Sequence, residues 1–224
     1  IASLVGSEMC IRDRLGPGDG SLTKVIINTL KKFPECNKAI KIYLYEKSLF
    51  LKKLQKQNID NKRIKWIKNF NSIKKGPVIF FGNEFFDAIP IKQFSNINNE
   101  LFEKCYSVKD NINIIEKFIR SNKKDFAQIM TFGTLKKLKF IEFPKKGLIE
   151  LNPIIKKINK LSGGILLIDY GYLNSNNSNT IQAVMGNKKI STETMLKNLG
   201  KADITSLVNF NLLKEYFLKN NLKV

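Results

Sequence analysis

The stretch VIFFGNEFFDAIP, residues 78 to 90, sets two carboxylates, Glu84 and Asp87, among phenylalanines directly after an apolar run. If the chain turns into a short helix after Gly82, residues three apart share a face. Both acids then point together into the cleft at the strand end, with Asn83 beside them. The chain contains no histidine. Any proton transfer therefore falls to Asp, Glu, Tyr, Lys or water. The alternative reading is structural: Asn83 caps the turn and both acids face solvent.

A second feature is the turn LGPGDGS, in which Gly16, Gly18 and Gly20 precede a helical pattern. Glycines let backbone N–H groups approach a ligand closely, and a helix N-terminus favours an anionic or electron-rich group. The spacing is GxGxG. It is neither the GxGxxG of dinucleotide-binding turns nor a phosphate-cradling loop ending in GK[ST]. Glu46, thirty residues past Gly16, closes the next strand and can accept both hydrogen bonds from a ribose diol. A glycine turn joined to a ribose-binding acid suits a nucleoside without a phosphate, and S-adenosylmethionine (SAM) is such a ligand. Taken singly, the turn also reads as an ordinary helix start and Glu46 as a solvated strand end. In register with five alternating strands, the ligand reading is favoured.

Positioning these residues requires strands and helices in alternation. Ser21 can cap a helix in which Leu22, Val25, Ile26 and Leu30 follow the 3.6-residue period as far as Pro34. KIYLYE (41–46) reads as a strand, Ser48 starts a helix to about Gln57, and RIKWI (63–67) and VIFF (78–81) read as the next two strands. Asn152 is expected as an N-cap, Pro153 as the first helical residue and Gly163 as the terminator. ILLIDYG then makes a fifth buried strand ending at Asp169. The pattern predicts an α/β fold with a mostly parallel, doubly wound sheet that binds ligands at its carboxyl edge. Between Ile91 and Gly147 the rhythm breaks, predicting an insertion of about residues 91–147 over the site. Within it, KQFSNINNELFEKCYSV reads as a hairpin turning around Asn96 to Asn99, and INIIEKFI as a helix. NSNNSN (174–179) reads as a polar loop.

At 224 residues and 43% hydrophobic content the chain can bury one sizeable core. No run of eighteen apolar residues occurs, so no membrane-spanning helix is expected. The formal charge is +20, from 39 Lys plus Arg against 19 Asp plus Glu. The basic residues are nearly all lysines spread from Lys24 to Lys223 among Ile and Asn, which reads as compositional bias and not as a nucleic-acid-binding stripe. Cys10, Cys36 and Cys105 stand far apart without a CxxC, and with no histidine the chain lacks the residues for a His/Cys zinc site, a Ser-His-Asp triad or a Cys-His pair. No metal is expected, and the thiols are expected to stay reduced. The first fourteen residues, IASLVGSEMCIRDR, contain no Lys or Asn and resemble translated adaptor sequence. They are expected to be a non-native leader of unconstrained fold, with the domain spanning 15–224.

The segments LGPGDGSL, YLYEKS, NEFFDAIPIKQF, ELNP, GGILLIDYG, TIQAV and KADITSLVNF, running in order from Leu15 to Val224, resemble the MidA-type class I SAM-dependent methyltransferases. That family includes the mitochondrial protein-arginine methyltransferase that acts as a complex I assembly factor. The resemblance implies a Rossmann-like class I methyltransferase fold with SAM as cofactor. It implies Gly16, Gly18, Gly20, Glu46 and Asn83 around that cofactor, with Asn69 near the adenine. It also implies Glu84 and Asp87 as carboxylates that hold a guanidinium, a group that stays protonated in water and must be aligned for transfer. The implied partner is a protein substrate, a complex I subunit or its bacterial counterpart, in the bacterial cytoplasm or the mitochondrial matrix. Two alternatives stay open: an inactive assembly or binding factor with the same fold, and a methyltransferase acting on a small molecule. NEFF lacks the prolines of the [DN]PP[YF] motif of base-modifying enzymes, which argues against nucleic acid. The chain also departs from the family. Arg14 stands where a glutamate is usual, a histidine expected near Asn187 is absent, and segments at both ends are missing. The chain is therefore read as truncated at both ends.

Overall fold

Short β-branched and aromatic runs pair in this chain because a strand's backbone groups, once out of water, find partners only in a neighbouring strand. The computed structural model describes residues 12–109, 113–174, 176–186, 188–198 and 200–224. The chain forms two compact units, one built from residues through Phe86 together with Glu150–Asp169, the other from Asp87–Ile149 with Tyr170–Val224. In chain order the first stretch carries β1 (Arg12–Leu15), α1 (Ser21–Leu30), α2 (Pro34–Ala39), β2 (Ile42–Tyr45), α3 (Leu49–Asn58), β3 (Ile64–Ile67), a 3-10 turn at Phe70–Ser72 and β4 (Val78–Asn83). β5 (Lys92–Ile97), β6 (Glu100–Lys109), β7 (Asn113–Arg120), α4 (Lys123–Met130), α5 (Gly133–Lys136) and β8 (Phe140–Phe143) follow. Then come α6 (Lys145–Leu161), β9 (Gly163–Ile168), β10 (Gly171–Tyr172), β11 (Gln182–Met185), β12 (Lys188–Ile190), α7 (Thr192–Lys197), β13 (Asp203–Thr205), β14 (Val208–Asn209) and α8 (Phe210–Lys219).

The first unit is a five-stranded, wholly parallel sheet in the order β3-β2-β1-β4-β9. The order reverses beside β1, which creates a topological switch point at the carboxyl ends of β1 and β4. Register is fixed there by Leu15 opposite both Tyr45 and Gly82, and by Asn83 opposite Ile168. The core joins Ile27 and Leu30 of α1 to Ile40, Ile42, Leu44, Ile59 and Ile64, with Trp66 packed against it. At Gly163 a Cβ would lie 1.8 Å from the Val78 carbonyl oxygen, so β9 reaches β4 only through a glycine.

The second unit holds a four-stranded antiparallel sheet, β7-β6-β5-β8, a three-stranded sheet, β12-β11-β13, and the parallel pair β10-β14. Fully buried Asp125 is gripped by Lys92 at 2.8 Å and Lys145 at 2.5 Å. Buried Glu142 accepts from Gln93 and from the Thr180 backbone N–H, pinning the segment after the polar loop to the sheet.

Several expectations are corrected. No helix follows Gly82: Glu84 takes a left-handed φ of 49° and the chain runs on in bends and turns. The described part of INIIEKFI lies in strand β7, because all eight residues from Asn113 to Arg120 pair with β6, a tertiary ladder that outweighs a helix-like spacing of isoleucines. Asn152 does not cap a helix and Pro153 does not open one, since α6 already begins at Lys145 and runs through the proline. Leu148, Leu151, Ile154, Ile155 and Ile158 are all buried at helical spacing, so one continuous apolar stripe outweighs the hydrogen bond lost at Pro153. Ser162, not Gly163, takes the left-handed residue after that helix, at φ 61°. Ser21 is the first residue of α1 and not its cap: Gly20 occupies the N-cap, and Asp19 Oδ1 accepts the Ser21 N–H. Arg12 to Arg14, assigned to an unconstrained leader, form most of β1 at the centre of the sheet. Residues 1–11 and Asn187, where other readings fell, lie outside the described residues. The hairpin of β5 and β6 does turn at Asn98 and Asn99, both with positive φ.

Candidate functional site

The carboxyl edge of the parallel sheet gathers the residues that follow each strand. Gly16 continues β1, Glu46 continues β2, Asn69 lies two residues past β3, and Asn83 closes β4. Parallel register places these strand ends side by side, with Gly16 N donating to the Tyr45 carbonyl at 3.2 Å.

All three glycines of the turn have positive φ, 57° at Gly16, 57° at Gly18 and 90° at Gly20, a region that strains any residue with a Cβ. Their surroundings differ. A Cβ at Gly20 would sit 2.7 Å from Ile59, and one at Gly16 would sit 3.2 Å from Phe85. Those two glycines allow close packing. Around Gly18 a Cβ would meet nothing within 4 Å, so its backbone faces open space. That is the geometry of a backbone surface free to take a ligand.

Glu46 is half-buried, and both of its carboxylate oxygens are oriented: Oε1 accepts from Ser48 N at 2.8 Å and Oε2 from Gln55 Nε2 at 3.1 Å. A carboxylate offers about four acceptor positions, so two remain for a diol. Gln55 is a residue that sequence reading missed. It lies in LFLKKLQKQN, a helix of otherwise polar appearance, yet it is fully buried. Its Nε2 also donates to the Gly18 carbonyl at 2.7 Å, and its Oε1 accepts from Trp66 Nε1 at 3.0 Å. The signal that could have found it is a lone amide on the apolar side of α3, three residues after Lys52 and in line with Leu51. On the other side of β2, the Tyr45 hydroxyl and the Lys47 ammonium both reach Glu150, and burial together with the Glu150 charge raises the Tyr45 pKa.

Asn69 is exposed, and its Oδ1 accepts from Asn71 N at 2.9 Å, capping the 3-10 turn. Its amide nitrogen remains the group available to a base. After β4 the chain is stapled to β9: Glu84 N donates to the Ile168 carbonyl at 2.8 Å, and Phe86 N to Asp169 Oδ1 at 2.8 Å. The acid of DYG thus holds the NEFF turn in place. Glu84 is exposed, whereas Asp87, in the second unit, is buried and its carbonyl accepts from Ser206 N at 3.1 Å. Glycine turn, Glu46, Asn69, Asn83 and Glu84 therefore share one edge of the first unit, and Asp87 is built into the other unit. Among the described residues no group of three or more His, Cys, Asp or Glu side chains could hold a metal ion, and no helix is long and apolar enough to cross a membrane.

The family model described as "Putative S-adenosyl-L-methionine-dependent methyltransferase" matches residues 14–224. Among curated proteins the chain is 30% identical to the mitochondrial protein arginine methyltransferase NDUFAF7 homolog of Caenorhabditis elegans, over 89% of this chain and 51% of that protein. It is 24% identical to the mitochondrial protein arginine methyltransferase NDUFAF7 of Danio rerio, over 90% of this chain and 52% of that protein. The chain thus spans about half the length of these relatives. Among solved structures, one from Burkholderia thailandensis bound to S-adenosyl-homocysteine superposes with a TM-score of 0.75 at 16% identity, covering 98% of this chain and 58% of that one. A native structure of an uncharacterized protein from the same organism gives a TM-score of 0.77 at 16% identity, covering 98% of this chain and 60% of that one.

Proposed function

The chain belongs to this S-adenosyl-L-methionine-dependent methyltransferase family, and from that membership we propose that it binds the cofactor at the carboxyl edge of its first unit and methylates an arginine on a protein substrate. One observation carries the reading: adjacent parallel strands bring an unobstructed Gly18 backbone and an oriented Glu46 carboxylate to one sheet edge. Those residues fit the cofactor. Gly18 and its neighbours would approach the amino-acid moiety, Glu46 would accept from the ribose hydroxyls, Asn69 would reach the adenine, and Asn83 would complete the wall.

When bound, the cofactor supplies an electrophilic methyl group on a sulfonium. The protein's own contribution is alignment and charge. Glu84 is assigned to the acceptor guanidinium, where a carboxylate holds the positive charge and directs one nitrogen toward the methyl. Support comes from its exposure at the sheet edge and from its left-handed backbone, a conformation that a non-glycine residue keeps only where the surroundings impose it. Asp87 is the second candidate for the same task. Arginine as acceptor is supported by the names of the curated relatives, and a respiratory complex I subunit or its bacterial counterpart is the substrate expected from the resemblance.

The test is transfer of labelled methyl from SAM to arginine-containing protein and peptide acceptors, with a lysine-only peptide and small amines alongside. Label on arginine supports the proposal. Label on small amines alone moves the acceptor class, and SAM binding without transfer to any acceptor favours a binding factor.

A further inference from the structure

The Gln55 side chain touches the glycine turn, the ribose-side carboxylate and the third strand together. Its amide is fully buried and makes three hydrogen bonds: Nε2 donates to the Gly18 carbonyl at 2.7 Å and to Glu46 Oε2 at 3.1 Å, and Oε1 accepts from Trp66 Nε1 at 3.0 Å. We infer that Gln55 is a positioning residue for cofactor binding, and that Trp66 sets which way its amide points. This deepens the proposed function and rests on the cofactor reading.

Gly18 presents a carbonyl and Glu46 a carboxylate, both acceptors, so whatever lies between them must donate twice. An amide nitrogen does this without adding charge. A buried amide turned end for end would set its oxygen against two acceptors, leaving all three groups unsatisfied in a dry site. The Trp66 indole is donor-only and meets the oxygen end, which excludes the turned state. Three elements therefore share one orientation device: the turn after β1, the end of β2, and β3 through Trp66. The lock on Glu46 is itself neutral: among the described residues no cation pairs with the carboxylate, and its donors are the Gln55 amide and the Ser48 backbone N–H. Lys56 lies over the Trp66 ring at 5.7 Å from its centroid, on the indole and not on the carboxylate.

Trp66 is the only tryptophan in the chain, so its emission reports the lock directly. The experiment is titration of the chain with S-adenosyl-homocysteine, by calorimetry and by Trp66 fluorescence, for wild type, Gln55→Met, Gln55→Glu and Trp66→Phe (calorimetry only), with thermal melts of each. Wild type should bind with a change in Trp66 emission. Gln55→Met should weaken binding at least tenfold at every pH. Gln55→Glu should be as weak at pH 8 and recover several-fold toward pH 5.5, as a proton taken up between the two carboxylates restores a donor, while wild-type affinity stays flat over that range. Trp66→Phe should weaken binding by a smaller factor. Failure of the wild type to bind would overturn the cofactor reading and this inference with it. Wild-type binding together with unchanged affinity in folded Gln55→Met, or a Gln55→Glu curve parallel to wild type with pH, would overturn the positioning role alone and leave Gln55 as packing.

Discussion

The Tyr45 hydroxyl donates to Glu150 Oε2 at 3.2 Å, while Lys47 meets the other oxygen of the same carboxylate at 2.6 Å. Residues 45 and 47 thus share a partner on α6, and the intervening Glu46 turns to the opposite side, toward Gln55 and the glycine turn. Alternation at the strand end separates a structural contact from a ligand-facing one. Because Lys47 is largely exposed, the ion pair itself contributes little. Glu150→Gln should lower stability by less than about 1 kcal/mol and leave cofactor affinity within twofold. A denaturant melt and a calorimetric titration check this, and a large loss of affinity would show that Glu150 orients the site.

Glu46→Ala should weaken binding of the cofactor or its demethylated product by about 1 to 3 kcal/mol, the range for hydrogen bonds to a charged group. Gly18→Val should do at least as much damage, since a branched side chain would fill the open approach and strain a φ of 57°. Calorimetry on folded variants is the measurement. Unchanged affinity in both would place the ligand elsewhere.

Glu84→Gln keeps the shape of the side chain and removes its charge. If this carboxylate holds the acceptor in the transition state, turnover should fall by a factor of a hundred or more, on the order of 3 kcal/mol, with cofactor affinity unchanged. Asp87→Asn is the companion test. Because Asp87 is buried, its variant needs a thermal melt beside the rate. Wild-type turnover in both amides would return the two acids to a structural role.

Buried Asp125 links the acid stability of the second unit to two partly exposed lysines, Lys92 and Lys145. Burial alone would raise its pKa, but hydrogen bonds from Lys145, Lys92 and Asn122 outweigh that and lower it from 3.8 to about 2. A carboxyl depressed in the folded state contributes stability above its unfolded pKa and loses it as pH falls through the folded value. Between about pH 4 and pH 2 the protein should therefore lose about 2 kcal/mol from this group. Urea melts across that window should show a shallower acid limb for Asp125→Asn than for wild type. Parallel limbs would assign acid sensitivity to other carboxylates.

The parallel sheet was legible in residues 42–45, 64–67 and 78–81 because β-branched and aromatic runs favour strands, a preference that leaves its mark locally; its burial was not, since Lys65, Ile79, Leu166 and Ile168 are exposed and β9, expected as a buried strand, is half-exposed. The glycine turn was legible for a similar reason, as a positive φ selects glycine wherever it occurs. Positions decided by packing left no such mark. Isoleucines 114, 115 and 119 suit either a helix or a strand, and only the ladder with β6 chose the strand. Pro153 reads as a helix start until the buried stripe from Leu148 to Ile158 carries α6 through it. Glu84 N is tied to Ile168 of β9 within the first unit and the Asp87 carbonyl to Ser206 within the second, partners that a spacing of three does not foretell. Gln55 is the clearest case. In LFLKKLQKQN only its alignment with Leu51 sets this glutamine apart from its solvated neighbours, since its burial depends on which face of α3 meets Gly20 and on where Trp66 comes to lie. The types and order of the elements follow from local sterics and hydrophobic period, whereas the hydrogen-bond partner of each polar group follows only from the folded arrangement of residues far apart in the chain.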